Sequence, residues 1–397
     1  MKGITKPKGF FSSGISSGIK KKEKLDLALI YSEVPFFVSG VFTKNSFKAA
    51  PVLYCMGIVK KGTAQAVIIN SGNANCATVD GDKDVVRMAE YVAGSLLISK
   101  KDVLVCSTGV IGRKIHLKKI ERAVPELVSS ISKKGSNAAL AIITTDKVPK
   151  EVERSFKIGS RVINIGGMAK GSGMIAPDMA MPSATLLAFI TTDVNIGLSA
   201  LRKATQYAVD CSFNRISVDG SMSTNDTVLV MANGLAGNKR MDEGKDFETF
   251  KRELTLAMQE LSKKIVKDGE GATKIIKIWV KGAYSEKDAY LVAKNVANSN
   301  LVKTAVYGSD PNWGRIISAV GSSTSKVDPK RLSLWIDKIQ VFKDGAPANF
   351  KITDVRKEFK KKNISVYIDL GIGNYSDFFW TCDLTEEYIR INSSYTT

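Results

Sequence analysis

Histidine is nearly absent from this chain, and this limits the catalytic arrangements that the sequence allows. His116 is the one histidine among 397 residues, so a Ser-His-Asp or Cys-His arrangement would have to use it. It lies in the basic run 113–119, which is typical of the first turns of a surface helix. The sequence therefore favours a nucleophile that works without histidine.

The five cysteines do not form a metal-binding pattern. No two have the spacing of zinc ligands, and their number is odd. Together with an N-terminus that does not resemble a signal peptide, they predict reduced thiols in a cytoplasmic protein without a metal site. The cysteines are Cys55, Cys76, Cys106, Cys211 and Cys382.

Small polar residues and glycines concentrate in four short segments. Glycine allows backbone N–H groups to approach a ligand closely or to converge on an anion. None of the segments fits the phosphate-binding Walker pattern or the dinucleotide-binding glycine pattern. They therefore indicate a ligand site of another kind, and the segments are 70–75, 107–112, 170–177 and 267–274.

An N-terminal threonine is a nucleophile that needs no histidine, because its own α-amino group can act as the base. The reference pKa of such an amine is roughly 7.7 to 8, so part of it is neutral near pH 7. The bond between Ala184 and Thr185 is suited to autocatalytic cutting, since a small residue before the bond leaves its carbonyl accessible. The residues alone also allow Thr185 to be an ordinary strand residue.

Alternating short β-branched runs and longer periodic segments predict a mixed α/β or α+β protein. The segment Phe247–Lys267 repeats apolar residues on one helical face, as an amphipathic helix requires. Strands are predicted at 25–31, 64–69, 103–106, 162–165, 184–191, 228–232, 275–280, 302–307, 332–336 and 364–370. Helices are predicted at 83–98, 199–209, 247–267, 286–298, 312–320 and 385–392.

The chain is strongly basic, with 58 basic and 39 acidic residues and a net charge of +19. Such a charge attracts small anionic substrates or nucleic acid. Aromatic residues are not interleaved with the basic runs as a stacking platform for nucleic acid requires, so this pattern disfavours a nucleic-acid partner. No apolar stretch is long enough to predict a membrane span.

Several of these segments together resemble the ornithine acetyltransferase family, which comprises glutamate N-acetyltransferases of arginine biosynthesis. The resemblance covers nearly the whole chain, with its motifs in the family's order. The motifs are Ser71-Gly-Asn-Ala-Asn-Cys76, Ser107-Thr-Gly-Val-Ile-Gly-Arg113, Thr144-Thr-Asp146, Lys170-Gly-Ser-Gly-Met-Ile-Ala-Pro177, the run 184–193, Ile216-Ser-Val-Asp-Gly220, Ser223-Thr-Asn-Asp-Thr227, Lys267-Asp-Gly-Glu-Gly-Ala-Thr273, Asp310-Pro-Asn-Trp-Gly-Arg315 and the terminal run 390–397.

The resemblance implies an α/β fold in two halves, a layered sandwich of sheets and helices like that of self-processing ornithine acetyltransferases and aminopeptidases. The precursor would cut itself between Ala184 and Thr185 into chains 1–184 and 185–397, which assemble into a heterotetramer. Thr185 would then carry acetyl from N-acetyl-ornithine to glutamate. The resemblance requires no cofactor, and it leaves open whether acetyl-CoA is a further acetyl donor.

The resemblance also implies roles for individual residues. Thr108 and Gly109 would form the oxyanion hole, which suits a hydroxyl and a backbone N–H at a strand end. Like-charge repulsion from Lys170 could lower the pKa of the Thr185 amine. The implied substrate contacts are Thr145, Lys170, Thr185, Glu270, Asn392 and Thr397.

One segment departs from the family's pattern beside the bond to be cut. Four residues, 181–184, are inserted before Thr185, and they include Pro182, which restricts the backbone. Two other functions remain open on the sequence. One is a related self-processing amidase or aminopeptidase that passes the acyl group to water. The other is an uncleaved, inactive homologue with a binding role.

Overall fold

The computed structural model describes residues 2–20, 24–176 and 186–394. The chain divides into two compact units. Among the described residues, the first comprises those within 1–214 and 221–265, and the second comprises those within 215–220 and 266–394. Each unit contains one sheet.

The first unit is built on an eight-stranded sheet. Its strand order is β4-β3-β2-β8-β7-β6-β5, with β1 paired to β2. The pairs β3–β4 and β7–β8 are parallel, and the other pairs are antiparallel. The strands are β1 (Phe10–Ile15), β2 (Leu27–Phe42), β3 (Thr63–Asn73), β4 (Val103–Val110), β5 (Lys150–Ile158), β6 (Arg161–Lys170), β7 (Leu187–Thr192) and β8 (Thr227–Ala232).

Helices accompany this sheet, and buried apolar side chains from sheet and helices form two clusters. One cluster packs α1 and α4 against the sheet, and the other packs α2 and α3 against it. The helices of this part of the chain are α1 (Ala50–Lys61), α2 (Gly81–Leu96), α3 (Leu117–Ser129), α4 (Ser136–Ile142), α5 (Leu198–Asp210) and α6 (Gly244–Lys267).

The second unit contains a six-stranded sheet of order β12-β11-β10-β13-β9-β14, in which only the pair β13–β9 is parallel. Its strands are β9 (Ile275–Ala283), β10 (Ser333–Ile336), β11 (Ile339–Lys343), β12 (Ala346–Pro347), β13 (Asn363–Asp369) and β14 (Tyr375–Cys382). Its helices are α7 (Glu286–Asn298), α8 (Asn300–Tyr307), α9 (Gly314–Gly321), α10 (Ile352–Phe359) and α11 (Glu386–Ser394).

The long amphipathic helix predicted from periodicity is present as α6. The apolar residues of its predicted face are fully buried, among them Phe250, Leu254 and Leu261. The mixed α/β class is likewise confirmed, with parallel and antiparallel pairs in both sheets.

The strand predicted at 302–307 is wrong, because these residues form most of α8. Its β-branched residues suggested a strand, but Val302 and Val306 lie four residues apart and are both buried, which is the spacing of one helical face. The Ser299 side chain caps this helix by accepting from the Val302 backbone N–H. The capping residue therefore outweighs the local preference for a strand.

The predicted cut falls between two neighbouring strands of one sheet. β6 ends at Lys170 and pairs antiparallel with β7, with Lys170 opposite Leu187. Ala184 and Thr185 themselves lie outside the described residues, as does Thr397. Since β1–β6 precede the predicted cut and β7 and β8 follow it, chains 1–184 and 185–397 would share this sheet.

Among the helices of the described ranges, none is long and apolar enough to cross a membrane.

Candidate functional site

The end of strand β4 carries Thr108 and Gly109, and its backbone is held close to that of β3. The parallel register places Ser71 beside Thr108 and Gly72 beside Gly109, followed by an irregularity of the ladder at Asn73. Gly109 has a φ of +131°, and a Cβ there would lie 2.4 Å from the carbonyl carbon of Gly72. Glycine is therefore required here both by conformation and by space.

Buried amide side chains fix the ends of β3 and β4. Ser107 Oγ donates to Asn70 Oδ1 at 2.5 Å, and Asn70 Nδ2 donates to the Asn73 carbonyl at 2.8 Å. Asn225 Nδ2 donates to the carbonyls of Ala74 and Ser107 at 2.6 and 2.9 Å. Satisfied buried amides of this kind make a rigid support, since leaving any of these groups unpaired would cost free energy.

Lys170 contacts Thr108, although their strands β6 and β4 are not neighbours in the sheet. The lysine is the last residue of β6 and is 8% exposed, whereas Thr108 is half-buried. Lys170 Nζ donates to Thr108 Oγ1 at 3.3 Å. The structure thus brings together an ammonium, a hydroxyl and the glycine backbone of 109, three features that suit the stabilisation of a developing negative charge.

Asp146 joins three segments around these residues. Its Oδ1 accepts from Lys150 Nζ at 2.6 Å and from the Gly171 backbone N–H at 2.7 Å, and its Oδ2 accepts from the Thr144 N–H at 3.0 Å. Burial alone would raise the pKa of this carboxyl, but Lys170, Lys150 and the hydrogen bonds lower it to about 2. Asp146 is therefore a carboxylate at neutral pH.

Thr145 is held in place by a neighbour on the segment that follows β6. Its Oγ1 lies 2.7 Å from Oγ of Ser172, a residue 1% exposed. Since Thr145 is flanked by Thr144 and Asp146, which are tied to each other, its half-buried side chain has a fixed position beside the Lys170–Gly171 backbone.

The second unit holds the other two predicted substrate contacts that the structure describes. Glu270 is 7% exposed, and its Oε2 accepts from Asn392 Nδ2 at 2.9 Å. Asn392 lies on α11 and is exposed, and its amide also donates to the Tyr388 carbonyl at 3.0 Å. A carboxylate next to an amide suits an ammonium group of a ligand.

Several residues of the site have no role in the sequence analysis. Asp146 and Asn225 stand inside quoted motifs, but their types alone do not reveal which backbone groups they bind. Lys150 stands in no motif, and only its spacing of four from Asp146 could have suggested a pair. Within the described ranges, no group of three His, Cys, Asp or Glu residues is arranged to hold a metal ion.

The close approach of β3 and β4 predicts that Gly109→Ala destabilises the protein more than Gly112→Ala does. Both glycines have positive φ, +131° and +77°, so both substitutions strain the backbone. Only at Gly109 would the added methyl also meet backbone atoms of the next strand, whereas no atom lies within 4 Å of the corresponding position at Gly112. Thermal unfolding followed by circular dichroism measures the difference, and equal shifts would contradict the packing argument.

The buried Asp146–Lys150 pair predicts that Asp146→Asn lowers the free energy of unfolding by about 3–5 kcal/mol at neutral pH, because it removes one charge of a buried ion pair. The carboxyl's pKa is lower in the folded than in the unfolded chain. The contribution of the Asp146 carboxylate to the free energy of unfolding is therefore present above about pH 4 and is lost as the pH falls toward 2. Denaturant unfolding across this range should show that loss in the parent and not in the variant.

Asp354→Asn is the matched control for Asp146→Asn. It removes a carboxylate that pairs with Lys357 at 2.9 Å on the exposed surface, where solvent screens the charges. Little change is expected. A comparable loss in both variants would mean that burial of the Asp146 pair is not the cause.

The comparisons with known proteins place the chain in one family. Residues 12–397 match the model of the ArgJ family. The bifunctional arginine biosynthesis protein ArgJ of Caldanaerobacter subterraneus is 45% identical, over 99% of this chain and 98% of that protein. The glutamate N-acetyltransferase of Methanocaldococcus jannaschii is 44% identical, over 100% and 98% respectively. The crystal structure of Bacillus halodurans ArgJ, at 42% identity and a TM-score of 0.51, covers 52% of this chain and 98% of that chain. The resemblance to ornithine acetyltransferases is thereby confirmed, and the chain belongs to the ArgJ family.

Proposed function

We propose that this protein is a glutamate N-acetyltransferase of arginine biosynthesis that moves acetyl from N-acetyl-ornithine to glutamate through an ester on Thr185. Membership of the ArgJ family supports the reaction. The observation that carries the mechanism is the contact of Lys170 with Thr108, the neighbour of Gly109. Lys170 ends β6, the strand that pairs with β7. Lys170 pairs with Leu187, which follows Thr185 by two residues in the sequence.

The nucleophile is made by the chain itself. Thr185 Oγ attacks the carbonyl of Ala184, the amide nitrogen leaves as the α-amine of Thr185, and water hydrolyses the resulting ester. The products are a carboxylate on Ala184 and a free N-terminal threonine whose amine then serves as base. Lys170 repels a proton on that amine and so favours its neutral form.

The transfer then takes two steps through one covalent intermediate. Thr185 Oγ attacks the acetyl carbonyl of N-acetyl-ornithine, and ornithine leaves with the proton that the Thr185 amine has taken. The α-amine of glutamate next attacks the acetyl ester, which releases N-acetylglutamate and restores the hydroxyl. In both steps the Thr108 hydroxyl and the Gly109 N–H stabilise the oxyanion. Whether acetyl-CoA also serves as donor is tested by measuring acetyl transfer to glutamate with acetyl-CoA in place of N-acetyl-ornithine.

The remaining substrate contacts follow from charge. The Glu270 carboxylate, which Asn392 holds at 2.9 Å, is proposed to bind the side-chain ammonium of ornithine. Thr145 and Lys170 contact the substrate beside its acetyl group, and Thr397 contributes a further contact.

Two observations support the cut into chains 1–184 and 185–397. The B. halodurans chain spans 52% of this chain, which is the size expected for one of two such pieces. The shared sheet of β1–β8 would hold the pieces together after the cut, because residues 165–170 of β6 pair with the whole of β7. We propose that two such pairs form a heterotetramer. A cytoplasmic location is part of this proposal, and it is supported by the five cysteines, none of which forms a disulfide in the described part of the chain.

The denatured intact mass of the purified protein tests the cut. Two masses that correspond to residues 1–184 and 185–397 are expected, while native size-exclusion chromatography should show one species. Thr185→Ala should give a single uncut mass and no acetyl transfer. Thr185→Ser retains a hydroxyl and should still be cut.

Thr249→Ala is the control, since this threonine only donates to a backbone carbonyl on α6. It should be cut and active like the parent. An uncut parent chain would mean that the inserted segment 181–184 blocks maturation and would favour a binding role. A cut and active Thr185→Ala protein would refute the nucleophile assignment.

Steady-state kinetics test the covalent intermediate. Double-reciprocal plots at several concentrations of N-acetyl-ornithine and glutamate should give parallel lines, because ornithine leaves before glutamate reacts. Intersecting lines would argue against the acetyl ester. Fast release of acetate from N-acetyl-ornithine without glutamate would instead identify an amidase that passes the acetyl group to water.

A further inference from the structure

Lys20 is a lysine near the site to which neither the motifs nor the comparisons assign a role. Its Nζ donates to the Ile143 carbonyl at 2.6 Å and to the Leu25 carbonyl at 3.1 Å. Its backbone N–H donates to Oδ2 of Asp26, a fully buried carboxylate, at 2.9 Å. Both ends of the residue are therefore anchored, and the half-buried side chain has one position.

The stem of Lys20 passes directly over Gly72. A Cβ on Gly72 would lie 3.1 Å from Cγ of Lys20 and 3.9 Å from its Cε. Gly72 in turn pairs with Gly109 across β3 and β4. Adjacent strands are about 4.8 Å apart, so the lysine lies roughly one strand spacing from the proposed oxyanion hole.

Two further lysines of the described ranges interact with Lys20. Burial lowers its pKa to about 8, Asp26 opposes this shift, and Lys170 and Lys24 add to it. Asp146 also interacts with Lys20, but this carboxylate is already bound by Lys150 and the Gly171 N–H. Lys20 and Lys170 together therefore attract an anionic group to this side of the site.

One donor of the Lys20 ammonium remains for a ligand. An ammonium has three N–H donors, and carbonyls accept from two of them. Among residues 2–20, 24–176 and 186–394, no protein acceptor takes the third. A fixed, partly buried ammonium with one remaining donor suits a carboxylate better than a neutral group, because charge-assisted hydrogen bonds are the stronger ones.

We infer that Lys20 binds the α-carboxylate that N-acetyl-ornithine and glutamate have in common, and thereby selects α-amino acids as donor and acceptor. This inference rests on the proposed transfer reaction. In N-acetyl-ornithine the acetyl carbonyl carbon and the carboxylate carbon are separated by the amide nitrogen and Cα, a span of about 3–4 Å. That span is shorter than the roughly 4.8 Å between adjacent strands, and the hydrogen bond from the carboxylate to the ammonium covers the remainder.

Substrate analogues separate carboxylate binding from a purely structural role. The parent protein is assayed with N-acetyl-ornithine and with its α-carboxamide, which has the same shape without the charge. The parent should prefer the carboxylate in kcat/KM. Lys20→Met should lower kcat/KM for the carboxylate by about 10- to 100-fold, mainly through KM, and leave the carboxamide nearly unchanged. Lys20→Arg should keep most of the preference.

Lys24→Met is the matched control, because it removes a nearby exposed positive charge without touching Gly72. Its preference for the carboxylate should equal the parent's. Equal losses for both substrates in Lys20→Met would overturn the inference and leave Lys20 as a tie between Ile143 and Leu25. A loss of preference in Lys24→Met as large as in Lys20→Met would also overturn it.

A binding measurement keeps this test independent of the transfer reaction. Calorimetric titration of the parent and of Lys20→Met and Lys20→Gln, each checked for folding by circular dichroism, reports the affinity for N-acetyl-ornithine and its carboxamide. Weaker binding of the carboxylate alone in the variants supports the inference even if the parent transfers no acetyl group. Unchanged affinity for the carboxylate contradicts it, whatever the activity.

Discussion

The carboxylate of Asp146 is the constraint on which the rest of the site depends. It gathers the N–H of Thr144, the ammonium of Lys150 and the N–H of Gly171, and so joins the segment after α4 to the first residue of β5 and the end of β6. A buried ion pair contributes little net stability when it is compared with apolar packing, because both charges lose their hydration. Its effect here is positional, since a buried charge cannot move away from its partner without a large cost.

A second constraint is the lack of a side chain at Gly109, where β4 approaches β3. A Cβ at this position would overlap the backbone of Gly72 and Asn73, and Asn70 and Asn225 bind nearby carbonyls. Thr108 is thus presented on a strand end that cannot shift. Lys170 reaches it from the same sheet, two strands of which flank the predicted cut. A sheet that spans the cut explains how a severed chain could keep its geometry.

How much could be predicted from the sequence depended on how local the signal was. The periodic face of α6 was sufficient to predict that helix, because six apolar residues repeat at helical spacing. The strand predicted at 302–307 is wrong because its β-branched residues favour a strand, whereas the cap at Ser299 begins a helix. The short edge strands β11 and β12 carry too few residues for any pattern. For the site, the resemblance predicted Thr108 and Lys170, whose contact the structure shows, but not the ties around Asp146, which depend on where β5 begins and β6 ends.

The sequence Thr-Thr-Asp occurs twice in this chain, at 144–146 and at 191–193, and the two copies lie in different structural contexts. One copy follows helix α4 and ends at Asp146, whereas the other ends β7 and continues into Asp193. Asp193 also accepts backbone N–H groups, those of Asn164 and Lys8, so both carboxylates join separate segments of the backbone. Asp146 in addition accepts from the ammonium of Lys150.

Two buried aspartates that interact with Lys170 show that surroundings decide what a carboxyl does. The pKa of Asp146 is lowered because ammonium groups and backbone N–H groups oppose the effect of burial. The pKa of Asp226 is raised well above its usual range, because burial outweighs its hydrogen bonds from Ser223 and the more modest effect of Lys170. Asp146 is therefore charged at neutral pH, because the combined effect of its ammonium neighbours and N–H donors exceeds the effect of burial. At Asp226 burial is the larger effect, so two carboxyls that interact with the same lysine shift in opposite directions.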